Sequence, residues 1–144
     1  MTGEPTFVDT NVLVYAHDAD AGSKHQTARS RLEELWRDES GLLSTQVLQE
    51  FYVTVTRKVS RPLPRITARG IVATYRVWPL HRPDVDDILT ASELEERYHL
   101  SFWDALIVVA AQRSGARRLL TEDLQDGQRF DELEVVSPFR DRST

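Results

Sequence analysis

Short apolar runs alternate with longer stretches whose apolar residues recur at helical spacing, from one end of the chain to the other. Thr6–Asp9 reads as a buried strand and Asn11–His17 as a helix carrying Val12, Leu13, Tyr15 and Ala16. Ser23 opens the next helix with a Ser-x-x-Gln capping pattern to Gln26, and Ala28, Leu32, Leu35 and Trp36 mark its apolar stripe. Gly41 punctuates, and Leu42–Ser44 follows as a strand. Thr45–Lys58 carries two patterns. Phe51, Val53 and Val55 alternate as in a strand, whereas Val47, Leu48, Phe51, Tyr52 and Val55 fit a helix, and the longer set predicts helix. Pro62 and Pro64 break the chain before a helix over Ile66–Arg76 and a short strand over Val77–Leu80. Asp84 and Asp87 stand in capping positions for a helix reaching Tyr98. Phe102–Ser114 is the most apolar helix and stops at Gly115, and Arg118–Thr121 and Glu134–Val136 complete the strands. Residues 1–5 and 140–144 read as loose tails of one domain spanning 1–144.

Strands alternating with helices imply an α/β fold with a mostly parallel central sheet. In such sheets ligands bind outside the carboxyl ends of the strands, where the strand order reverses. Asp9 closes the first strand and Asp123 follows the strand ending at Thr121, so both sit where this architecture places its sites. Glu50 in LQEFY and Asp104 in FWDAL are acids within apolar helical segments. Acids in apolar surroundings are costly, because desolvation disfavours the charge and neighbouring carboxylates repel. Four of them converging on one point imply a bound divalent cation.

Each acid also has a plain structural role open to it. Asp9 can cap the helix that follows. Glu50 can face solvent, Ser101 and Asp104 form a Ser-x-x-Asp capping box, and Asp123 lies in TEDLQDG, a loop composition.

Composition narrows the chemistry. The chain has 144 residues and no Cys, so disulfides, thiolate zinc sites and thiol nucleophiles are excluded. Its four His show no HExxH spacing. A cation would be held by oxygen, which favours Mg²⁺ with Mn²⁺ as substitute. No signal-like start or run of about 18 apolar residues occurs, so a cytoplasmic protein without a membrane span is expected. The net charge of −5 is unevenly spread: Arg57 to Arg82 holds seven basic residues and no acid, and Asp84 to Asp104 holds seven acids. Arg61, Arg65 and Arg69 are candidate phosphate contacts, although charge runs are usually solvated surface.

FVDTNVLVYA, STQVLQEFYV, LSFWDALIVVAA and LLTEDLQDG, in that order, resemble the PIN-domain ribonucleases, most closely the VapC-type toxins of toxin–antitoxin pairs. The resemblance implies a three-layer α/β/α sandwich and Mg²⁺- or Mn²⁺-dependent RNA cleavage. It assigns the catalytic acids as Asp9, Glu50, Asp104 and Asp123, with Asp9, Asp104 and Asp123 as principal metal ligands. Asn11, Thr121 and Asp126 become supporting residues. Single-stranded or loop RNA is the expected substrate, with an antitoxin and a second copy of the chain as expected partners. A housekeeping RNA-processing enzyme is the alternative, followed by a catalytically silent scaffold. A dehalogenase-type phosphatase would need a second Asp two residues after Asp9, where Asn11 stands. A receiver module would need a Lys near the last strand, and Lys24 and Lys58 are elsewhere.

Overall fold

A computed structural model describes residues 3–140. Within these residues six strands, β1 (Thr6–Val8), β2 (Gly41–Ser44), β3 (Leu80–His81), β4 (Arg118–Leu120), β5 (Arg129–Phe130) and β6 (Leu133–Val136), form one sheet in the order β3-β2-β1-β4-β6-β5. Every pairing is parallel except β5 with β6. Among the described residues, six α-helices connect them: α1 (Thr10–Ala16), α2 (Ser23–Asp38), α3 (Thr45–Arg57), α4 (Arg65–Thr74), α5 (Val85–Tyr98) and α6 (Phe102–Arg113). Helix α1 packs on α2 and α3, and α3 on α4; α5 and α6 form a second group in which α6 lies against β2 and β4. This is the α/β/α layering expected of the sequence.

Central strands β1 and β2 are buried at every residue, as their near-continuous apolar character requires of a parallel sheet covered on both faces. The two patterns in Thr45–Lys58 resolve as helix, because Val47, Leu48, Phe51 and Val55 all enter the core from one face. Helix α6 is buried from Ala105 through Ala111, which explains why it is apolar all round rather than amphipathic. At Gly41 the sheet admits no side chain: a Cβ there would lie 2.4 Å from the Trp78 ring. Trp78 in turn packs against Trp36 and Tyr75.

Several expectations are corrected. Ser23 is the first helical residue and not the cap of α2. The chain reverses at Gly22, whose φ of 67° favours glycine, as it leaves a 3-10 turn at Ala19–Ala21. Val77 belongs to a 3-10 turn, Tyr75–Val77, and the strand predicted there is displaced to Leu80–His81. Asp87 is no cap: Asp84 caps α5 by accepting from the Asp87 backbone N–H. The Asp87 carboxylate is instead buried, bound to His81 Nε2 at 2.5 Å and to Arg113 Nη1. Strand β5 has no counterpart in the sequence reading. It forms a hairpin with β6 across Asp131 and Glu132, with Asp131 at φ 56°. Of the expected tails, residues 1–2 and 141–144 lie outside the described residues, while Pro5 is held, its carbonyl accepting from Arg117 and Arg118.

Candidate active site

The strand order turns back between β1 and β4, the two strands from which the chain departs in opposite directions across the sheet. They pair Thr6 with Arg118, Phe7 with Leu119 and Val8 with Leu120. The next rung brings Asp9 beside Thr121, and the Asp9 backbone N–H donates to the Leu120 carbonyl at 3.0 Å. Asp9 has extended backbone angles and caps α1, its Oδ1 accepting from Thr10 N at 2.7 Å. Its other oxygen accepts from the Thr121 hydroxyl at 2.7 Å. The Thr121 hydroxyl oxygen also accepts from the Asp123 backbone N–H at 3.0 Å, so one side chain fixes both acids.

The other acids arrive from separate helices. Thr10 Oγ1 donates to Glu50 Oε1 at 2.8 Å, tying the first turn of α1 to the middle of α3. Asn11 Nδ2 reaches both Asp123 oxygens, at 3.3 and 3.4 Å. Asp104 lies in the first turn of α6, its backbone N–H donating to the capping Ser101 hydroxyl at 3.1 Å. All four acids line one cleft of about 460 Å³, together with Thr10, Asn11, Gln46, Gln49, Val53, Thr54, Lys58, Trp103 and Ile107. Glu122, beside Asp123, turns away and is clamped by Tyr15 Oη at 2.5 Å and Lys24 Nζ at 2.7 Å.

The electrostatics follow from burial. Asp9 is 6% exposed. Desolvation lifts its carboxyl to about 7; the Thr121 and Thr10 hydrogen bonds oppose the rise, and the negative charges of Asp123 and Asp104 add to it. Burial also raises Asp104, against a hydrogen bond from Ser101 and with the Asp123 charge adding to the rise. The cleft thus gathers four carboxylates, with Lys58 the one cation among the described residues of its lining. Its donors are carboxylate oxygens with no His among them, a set that suits a hard divalent cation. Among the described residues, no three Asp, Glu or His side chains already stand close enough to enclose an ion. Glu50 rests on Thr10 and Asp123 on Asn11, positions that relieve repulsion between acids facing one another.

Asp9, Glu50, Asp104, Asp123 and Asn11 therefore meet in the cleft, with Thr121 directly behind it. Asp126 is not in the cleft lining; its Oδ1 accepts from Ser137 N at 2.8 Å and its Oδ2 lies 3.8 Å from Arg140. The three candidate arginines are not brought to the cleft either. Arg61 pairs with Asp20 at 3.1 Å, Arg65 begins α4, and Arg69 edges an apolar groove between α3 and α4. Trp103, Gln46, Gln49 and Thr10 were not singled out in the sequence, and Lys58 was counted only as part of the basic run from Arg57 to Arg82. Thr10 had a visible signal, a hydroxyl in the first helical turn beside Asp9. Trp103 had none, since an indole in an all-apolar helix reads as core.

Solved structures with the same fold include VapC20 of Mycobacterium tuberculosis, a sarcin-ricin-loop-cleaving toxin, at TM-score 0.60 and 22% identity over 79% of this chain and 86% of that one. A toxin–antitoxin complex from Klebsiella pneumoniae matches at TM-score 0.67 and 22% identity, covering 93% and 98% of the two chains. VapBC2 from Rickettsia felis, bound to a DNA fragment from its promoter, matches at TM-score 0.60 and 19% identity, covering 92% and 97%. No curated protein matches the chain. The PIN domain model matches residues 6–133, nearly the whole described chain, and the protein belongs to the PIN-domain family.

Proposed function

We propose that this PIN domain is a divalent-metal-dependent endoribonuclease of the VapC type, the toxin of a toxin–antitoxin pair. The observation that carries the reading is the convergence of Asp9, Glu50, Asp104 and Asp123 on one cleft at the switch point of the sheet, with Asp9 buried and raised to about 7. Nothing in the packing requires mutually repelling acids there, which disfavours a silent scaffold. The likeness to toxin structures favours a toxin over a housekeeping enzyme.

Asp9, Asp104 and Asp123 would hold the cation. When bound, Mg²⁺ or Mn²⁺ supplies charge neutralisation at the phosphoryl oxygens and lowers the pKa of water. Glu50, anchored by Thr10, orients the attacking water and accepts its proton. Thr121 and Asn11 keep Asp9 and Asp123 in place, as the supporting partners of metal-binding carboxylates do. The substrate of this reading is RNA with unpaired bases, in single strands or loops, and the cytoplasm is the compartment the reading assigns. An antitoxin encoded alongside would occlude the acids, and a second copy would complete a homodimer.

Cleavage of total RNA in Mg²⁺ or Mn²⁺ tests the reading. Wild type should cut, Asp9→Asn and Asp104→Asn should not, and EDTA should stop the reaction. Equal cutting by the Asp9→Asn protein would remove the assignment. Growth arrest on expression, relieved by an adjacent small gene, separates toxin from housekeeping enzyme.

A further inference from the structure

Trp103 stands out on the cleft wall. It is 64% exposed, whereas Trp78 is buried and Trp36 packs against Tyr75 and Trp78. Tryptophan is on average highly buried, so an open indole calls for a partner. The ring is not loose: Phe102, packed into the seam between α5 and α6, meets it edge-on at 5.5 Å and 75°. It lines the same cleft as Asp104, the residue that follows it, with consecutive Cα atoms ~3.8 Å apart. The facing wall is one side of α3, where Gln46, Gln49, Glu50, Val53 and Thr54 recur at helical spacing and lead to Lys58. Lys58 is the one cation among the lining residues, eight residues beyond Glu50 and so about 12 Å along the helix.

We propose that Trp103 is a stacking platform for an unpaired nucleobase next to the scissile phosphate, with the strand running on along α3 so that Lys58 meets a different phosphate. The inference rests on the ribonuclease reading above and names how that site selects its substrate. Aromatic faces stack bases irrespective of sequence, and a base can lie on the indole only when it is unpaired. Gln46 and Gln49 offer amides that both donate and accept, suited to the edge of a splayed base. The platform thus favours single strands and open loops over duplex by geometry, not by charge. A protein side chain could also cover an indole. The position of this one, in the cleft that holds the phosphate-cleaving acids, favours the base.

The test measures binding of a fluorescein-labelled, ten-nucleotide unpaired RNA by anisotropy in Ca²⁺, and cleavage of the same RNA after exchange into Mg²⁺ or Mn²⁺. Trp103→Ala should weaken binding about 5- to 100-fold, and Trp103→Phe should restore most of it. In a series with one abasic ribose at each position, one position should weaken the wild type by a similar factor and leave Trp103→Ala unchanged. Lys58→Gln should lower the salt dependence of binding by about one ion. Equal binding by wild type and Trp103→Ala, or abasic losses identical in both, would overturn the platform. So would a Trp103→Ala protein that binds RNA normally but loses self-association in gel filtration, which would give the indole to a protein interface. Wild type that fails to cleave in either metal would instead remove the ribonuclease reading itself.

Discussion

Asp9→Asn should stabilise the metal-free protein at neutral pH while abolishing its chemistry. Asp9 is buried, and its carboxyl is raised from 3.8 to about 7. Between those values the folded state keeps a proton that the unfolded chain has released, so stability falls as pH rises. The stability associated with the raised group is complete below about 3.8 and lost once pH passes about 7. Three units at about 1.4 kcal/mol each give about 4 kcal/mol. Relaxation of Asp104 and Asp123 away from the new charge takes up part of this, leaving about 2–4 kcal/mol. Asparagine resembles the protonated acid in shape and in keeping an acceptor for Thr10 N–H, and it carries no charge at any pH. Urea unfolding in EDTA from pH 4.5 to 8.5 should therefore show wild type and Asp9→Asn similar at the acid end. They should diverge by about 2–4 kcal/mol at the alkaline end, with the variant the more stable. Saturating Mg²⁺ should close the gap by stabilising wild type alone. Parallel curves across the whole range would mean that Asp9 is ionised throughout, and the account of a buried, repelling acid would be wrong.

Other perturbations probe the rest of the scaffold. Mg²⁺ at about 100 times its Kd should add about 2.7 kcal/mol to wild-type stability, and calorimetry should find no such gain in an Asp9→Asn, Asp104→Asn double variant. Thr121→Val removes a hydrogen bond that lowers the Asp9 carboxyl, so the pH at which stability falls should move upward. The same variant should bind Mg²⁺ about 10- to 100-fold more weakly by isothermal titration. Gly41→Ala drives a Cβ into the Trp78 ring and should cost about 2–3 kcal/mol in urea unfolding. Asp87→Ala strips a buried anion from His81 and from the partly exposed Arg113, and should cost about 2–4 kcal/mol by the same assay.

The site was more legible in the sequence than the surface around it. Asp9, Glu50, Asp104 and Asp123 each occupy a position that local rules define, such as a strand end, an apolar helix or a helix cap, and the alternation of elements brings those positions together. The helices were readable because each carries a stripe or cap that survives in isolation. Strand β5 was not, because two residues between turns hold no period, and its pairing with β6 is decided by Asp131 entering the left-handed region. Asp87 was misread for a related reason. Its spacing from Asp84 suits a cap, but the ion cluster it joins depends on His81 and Arg113, which come from β3 and α6. The basic run was only partly readable: Lys58 lines the cleft and Arg61, Arg65 and Arg69 do not, because spacing along the chain says nothing about which helix faces point at it.

The Thr121 hydroxyl joins Asp9 to the Asp123 backbone across 112 residues of sequence, and β4, which carries it there, inserts beside the first strand. A chain emerging from the ribosome therefore exposes Asp9 and Glu50 long before the strand that completes their surroundings exists. At ~5–20 residues per second, several seconds separate the first acid from the last. For the ribonuclease toxin proposed above, that interval would act as a safety catch. A chain that has not yet reached β4 has no assembled site, and cutting would have to wait until Thr121 and Asp123 have emerged and packed beside Asp9.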